Sequence, residues 1–141
     1  MLKVLLAVDG SEYSLHAVAY VIKRTSLAKL DWDIHLINVQ NPLHGSISTF
    51  IHAAQIKQYH HDEGMKALAP ARDLLDKGGI VHQYHLFVGE PAEVIARYAK
   101  EQGCDEIVMG ARGLSGIASI LVGSVAATVI NLAEIPVLLV K

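Results

Sequence analysis

Gly110 and Gly113 have two residues between them, nine more lead to Gly123, and a serine follows at once, giving Gly110-x2-Gly113-x9-Gly123-Ser124. Glycine lets a backbone approach a ligand closely and reach positive φ. A serine hydroxyl and the first amides of a helix together make a site for an anion, above all phosphate. Arg112, inside the same motif, adds a fixed positive charge suited to phosphate oxygens. Asp9-Gly10-Ser11 and Asn38-Val39-Gln40 are two further clusters of the kind found at ligand sites. Other phosphate motifs are excluded. No Gly-Lys pair is followed by Ser or Thr, as a P-loop requires, and Asp9-Gly10-Ser11 stands where a Gly-x-Gly-x-x-Gly fingerprint would follow the first strand.

The elements that must position these residues can be read from apolar patterning. Runs at residues 4–8, 33–40, 80–88, 106–110 and 137–140 predict five short strands. Continuous Val, Ile and Leu is what a parallel sheet covered on both faces requires. In the third run Ile80, His82, Tyr84, Leu86 and Val88 share one face; Gln83 and His85 fall on the other, which reads as solvated. Four helices are predicted between the strands. The first spans 12–29, with Leu15, Val18 and Ile22 on one stripe and Ser11 as N-cap. The second spans 49–77, with Met65, Leu68, Arg72 and Leu75 on a stripe, Pro70 as a kink or break, and Gly78-Gly79 as its end. The third starts at Pro91 and reaches 102; the fourth covers 123–133.

Alternating strands and helices predict one α/β domain over residues 1–141. It is a doubly wound parallel sheet in the order 3-2-1-4-5, with helices on both faces. Ligands in such sheets bind beyond the carboxyl ends of the strands, where all three polar clusters fall. The segment 41–48, with Pro42 and Gly45, is the one loop long enough to be mobile.

Composition excludes several classes. With 52% hydrophobic and 18% charged residues the chain is not intrinsically disordered. A net charge of −2 leaves no basic excess for a nucleic-acid backbone. The uncharged stretch 113–133 invites a membrane reading, but its glycines and serines argue instead for a phosphate loop followed by a buried helix. The apolar run at 4–8 is too short for a signal peptide. One cysteine, Cys104, allows no internal disulfide and fits a reducing cytoplasm. The histidines do not read as a metal site: His82 and His85 face opposite sides of a strand, and His60-His61-Asp62-Glu63 spreads around a helix.

The spaced glycine motif, Val8-Asp9-Gly10-Ser11, Gly89-Glu90-Pro91-Ala92 and the closing Pro136-Val137-Leu138-Leu139-Val140 resemble the universal stress protein family, over essentially the whole chain and in its ATP-binding branch. The resemblance implies a bound adenine nucleotide: ATP, with ADP or AMP as alternatives, accompanied by magnesium. Asp9 would lie on the ribose and phosphate side and touch the magnesium ion, with Ala7 and Val8 lining the pocket beside it. Val39 would meet the adenine through its backbone, and Met109 and Gly110 would border the ribose. Arg112, Gly113, Gly123, Ser124 and Val125 would hold the phosphates.

The fifth strand, uncharged and at a sheet edge, predicts pairing with a second copy through Val137–Val140, and the resemblance implies the same homodimer. The function expected is that of a regulatory, stress-response nucleotide-binding dimer in the cytoplasm, and not an enzyme. The alternatives are a slow ATP hydrolase or phosphotransferase, for which Asp9 and Arg112 are the nearby groups, and a nucleotide-free scaffold whose glycines are structural.

Overall fold

Val4, Leu5 and Leu6 are all fully buried, which a strand achieves only when both sheet faces are covered. The computed structural model, which describes residues 1–29, 31–43, 52–114 and 122–141, shows that arrangement. The strands are β1 (Leu2–Ala7), β2 (Trp32–Gln40), β3 (His82–Val88), β4 (Glu106–Gly110) and β5 (Val137–Val140). They pair in parallel in the order β3-β2-β1-β4-β5, as the patterning predicts. The helices are α1 (Glu12–Ala28), α2 (Ala53–Lys77), α3 (Pro91–Glu101) and α4 (Ser124–Leu132).

Alternate β1 residues feed two cores. Val4, Leu6 and Val8 pack with Val18 and Val21 of α1 and Leu68 and Leu75 of α2. Leu5 and Ala7 pack with Ile95 and Tyr98 of α3 and Val129 of α4. One row across the sheet recurs below: His85, Ile37, Ala7, Met109 and Leu139 are successive register partners.

Several sequence expectations are corrected. Pro70 does not break α2, which runs unbroken from Ala53 to Lys77. Pro70 and Lys66 are both on the exposed side, so the carbonyl deprived of its amide partner can be met by water. The residues predicted to open this helix, 49–51, lie outside the described residues, as do 44–48 of the loop expected to be mobile. The fourth helix is not buried all round: Ala126 and Val129 are, whereas Ile130 is 48% exposed. Nor is the second face of β3 solvated at His85, whose ring lies against Tyr98, Phe87 and His35. Among the described residues no helix is long and apolar enough to cross a membrane.

Candidate functional site

β1 lies between β2 and β4, so the crossovers leave it in opposite directions and open a crevice at the carboxyl ends. The crevice is a cavity of about 380 Å³, within the size range of small-molecule sites. All eleven residues singled out from the sequence line it: Ala7, Val8 and Asp9 after β1, Val39 on β2, Met109, Gly110, Arg112 and Gly113 around the end of β4, and Gly123, Ser124 and Val125 at the start of α4. The nine-residue spacer between Gly113 and Gly123 is described only at Leu114 and Val122.

The floor is apolar. Ile37, Ala7 and Met109 form the central part of the register row, and Ile95 closes it from α3. At the β2 end the rim is polar and tied down. Asn38, 2% exposed, donates from Nδ2 to the Val8 carbonyl at 2.8 Å and accepts from Gln40 Nε2 at 2.7 Å. That tether fixes the ends of β1 and β2 relative to each other.

At the other end the chain leaves β4 and returns to α4. The Gly123 amide donates to the Ala111 carbonyl at 2.7 Å, and the Ala111 amide to the Val140 carbonyl at 2.7 Å, so the α4 N-terminus is pinned to the sheet. Gly123 is the N-cap of α4 and provides no side-chain hydrogen bond. The amides of Ser124, Val125 and Ala126 have no partner among the described residues. They present the positive end of a helix dipole, with no acidic residue in the first turn.

The glycines act by lacking a side chain, not by positive φ, which among the described glycines belongs to Gly10, Gly79 and Gly103. At Gly110 a Cβ would come within 2.8 Å of the Tyr13 backbone, so this glycine lets α1 pack against the end of β4. At Gly113 a Cβ would lie 2.7 Å from Asp9 Oδ2. That glycine keeps open the space between the phosphate-type loop and the one carboxylate on the cavity wall.

Asp9 is half-buried and oriented. Its Oδ1 accepts from the Ser11 amide at 2.9 Å and from Ser14 Oγ at 2.7 Å, which leaves Oδ2 on the side of Gly113. Arg112 donates from Nη1 to Tyr13 Oη at 3.3 Å, and its guanidinium lies 5.6 Å from that ring's centroid. The cavity thus has an apolar base, a carboxylate and a guanidinium on its walls, and at one end amides without a partner among the described residues. That combination suits an apolar ring system joined to an anionic group.

Sequence reading missed Ser14 and Ile95 as lining residues, whereas Asn38 lay in a cluster it had singled out. The Ser11-x-x-Ser14 spacing was the available signal for the first. A polar cluster also lies beneath the floor. His35, 4% exposed, places Nδ1 2.7 Å from Tyr98 Oη and Nε2 3.2 Å from Asp33 Oδ2. His85 beside it has a buried Nε2 without a hydrogen-bond partner among the described residues. Burial pushes its pKa below the ordinary histidine value, with His35 adding to the effect. Burial also raises the Tyr98 hydroxyl and the Cys104 thiol. Among the described residues no cluster of three metal-ligating side chains occurs.

Comparison with known proteins gives a consistent result. The profile of the Universal stress protein family matches residues 1–141. Universal stress protein MJ0531 of Methanocaldococcus jannaschii is 33% identical over 147 residues, spanning 99% of this chain and 81% of that protein. Universal stress protein YxiE of Bacillus subtilis is 32% identical over 145 residues, spanning 99% and 98%. Among solved structures, MJ0577 of M. jannaschii superposes with a TM-score of 0.85 at 28% identity, over 99% of this chain and 95% of that one. A universal stress protein solved in complex with cAMP superposes with a TM-score of 0.72, also at 28% identity, over 99% and 97%.

Proposed function

The chain belongs to the universal stress protein family, and on that premise we propose that it binds an adenine nucleotide, ATP with magnesium foremost, in the cavity at the carboxyl ends of β1, β2 and β4. One observation carries the reading: Ser124, Val125 and Ala126, whose amides have no partner among the described residues, line the same cavity as Gly113, Arg112 and Asp9. The relative in complex with cAMP supports an adenine ligand for this fold. The base lies on Ile37 and Ile95 and meets the Val39 backbone; the ribose borders Met109 and Gly110. The phosphates take the α4 amides, Ser124 and Arg112. Asp9 would be the residue to hold magnesium, which would offset phosphate charge.

The protein acts as a nucleotide-responsive regulator and not as an efficient enzyme. The charged side chains on the cavity wall are Asp9 and Arg112, enough to hold Mg-nucleotide but a thin set for rapid phosphoryl transfer. Turnover stays below about 1 per second, the lower end for working enzymes. A free cysteine buried in the core suits the reducing cytoplasm.

The edge strand β5, uncharged along Val137–Val140, pairs with its copy in a second chain to give a homodimer. Sedimentation equilibrium reads this directly, and a monomer at all concentrations would refute it. For the nucleotide, protein purified without added ligand and then denatured releases ATP or ADP, identified by mass. If nothing is released and ATP, ADP and AMP leave the melting temperature unchanged, the reading fails.

A further inference from the structure

The Ser14 hydroxyl is used to its full capacity without reaching the cavity contents. It has one proton and two acceptor positions. The proton goes to Asp9 Oδ1 at 2.7 Å. The acceptor positions take the Asp9 amide at 3.0 Å and Ser11 Oγ at 3.3 Å. The side chain lies on the cavity wall, yet the residue is only 3% exposed. A hydroxyl so committed has nothing left for a ligand. It instead closes a ring through the amide and the carboxylate of one residue, Asp9, and so restricts rotation about that side chain.

The Ser11 amide adds a second donor to the same Oδ1 at 2.9 Å. With Oδ1 doubly engaged, Oδ2 is turned toward the space kept open by Gly113. The carboxylate is therefore pre-oriented before any ligand arrives, which lowers the ordering cost of binding.

We propose that Ser14 is a positioning residue for the nucleotide site, acting through Asp9: it locks the carboxylate so that Oδ2 faces the phosphate end. The proposal rests on the nucleotide reading above and adds a residue that neither touches the ligand nor belongs to the glycine motif.

A double-mutant cycle separates this role from a merely structural one. ATP with magnesium is titrated calorimetrically into stripped wild-type protein, Ser14→Ala, Asp9→Ala and the double variant. Loss of a hydrogen bond to a charged group predicts roughly tenfold to hundredfold weaker binding for Ser14→Ala. In the Asp9→Ala background the same change has almost no effect on affinity. An equal factor in both backgrounds, or none in the wild-type background, overturns the proposal. Ser14→Cys keeps the volume with a weaker donor and gives an intermediate loss; it serves as the test if Ser14→Ala does not fold.

A ligand-independent arm uses nuclear magnetic resonance on the nucleotide-free protein. Hα–Hβ couplings of Asp9 report a single χ1 rotamer in the wild type and averaging in Ser14→Ala. A single rotamer in both overturns the proposal, even should wild-type protein bind no ATP and the nucleotide reading fall on its own.

Discussion

Of the helices whose N-termini reach the cavity, α1 and α4 begin in opposite ways. α1 is capped from within: Ser11 Oγ accepts from the Ser14 amide at 3.2 Å, Asp9 takes the Ser11 amide, and Glu12 sits in the first turn. α4 has Gly123 at its cap, no side-chain hydrogen bond and no acid in its first turn. In the first, the Ser14 amide is met by the Ser11 cap and the dipole by Glu12 and Asp9. In the second, neither the first amides nor the dipole is met by a described residue. The carboxylate that completes α1 is also the one that faces Gly113, so one helix end builds the wall and the other is the end proposed to receive the anion.

Filling the space between the two ends should have the largest effect. Gly113→Val puts a branched side chain where even a Cβ lies 2.7 Å from Asp9 Oδ2, an oxygen whose carboxylate is already held at Oδ1. At a ligand concentration of 100 times the wild-type Kd, nucleotide adds about 2.7 kcal/mol of stability. The variant should lose all of that while remaining folded by circular dichroism; an intact melting shift would place the phosphates elsewhere.

Making the α4 end resemble the α1 end should have the next effect. Gly123→Ser provides a side-chain cap that competes with phosphate for the same amides. Nucleotide affinity should fall by about tenfold, the worth of one such charge-assisted bond, while the nucleotide-free protein still melts cooperatively, the cap offsetting the crowding of a Cβ 3.3 Å from Arg112 Cα. Unchanged affinity would mean that the α4 amides do not receive the ligand.

The reciprocal change is Ser11→Ala, which uncaps α1. It should cost about 1 kcal/mol in chemical denaturation with affinity little altered. A large loss of affinity with no loss of stability would erase the distinction between the two ends.

Acid should act on His85, at the β3 end of the row that forms the floor. The folded-state pKa of His85 is pushed down by burial, so below the ordinary value of about 6.5 the unfolded chain binds the proton and the folded chain resists it. Stability from this group is complete above that value and is lost as pH falls toward the folded pKa. A single proton limits the slope to about 1.4 kcal/mol per pH unit. Replacing His85 with Phe should flatten denaturation midpoints between pH 7 and pH 5; an unchanged slope would assign the effect to another group.

How much of this was legible in the sequence depended on distance along the chain. β1 and β4 could be read because continuous apolar runs follow from double-sided burial, β5 from an equally apolar run that is only half-buried, and the strand order followed from the β-α alternation. The cavity residues from Gly110 to Val125 could be read because one loop and one helix start carry them. His85 could not. In its own strand it alternates as a solvated residue, and what covers it is Tyr98, contributed by a helix after the next turn. Ser14 reads as an ordinary helix residue until its contacts with Asp9 are known. Pro70 reads as a break because nothing local reveals that its side of α2 is exposed. The glycines were recognised for their positions, yet the reason differs: Gly110 and Gly113 are needed for close approach, and neither has positive φ.

The most direct measurement is a calorimetric titration of ATP with magnesium into stripped wild-type protein beside Gly123→Ser. The account predicts saturable binding at one site per chain for the wild type and clearly weaker binding for the variant with its fold intact. No heat of binding in the wild type, or equal affinity in both proteins, would contradict the claim that the uncapped end of α4 receives the nucleotide.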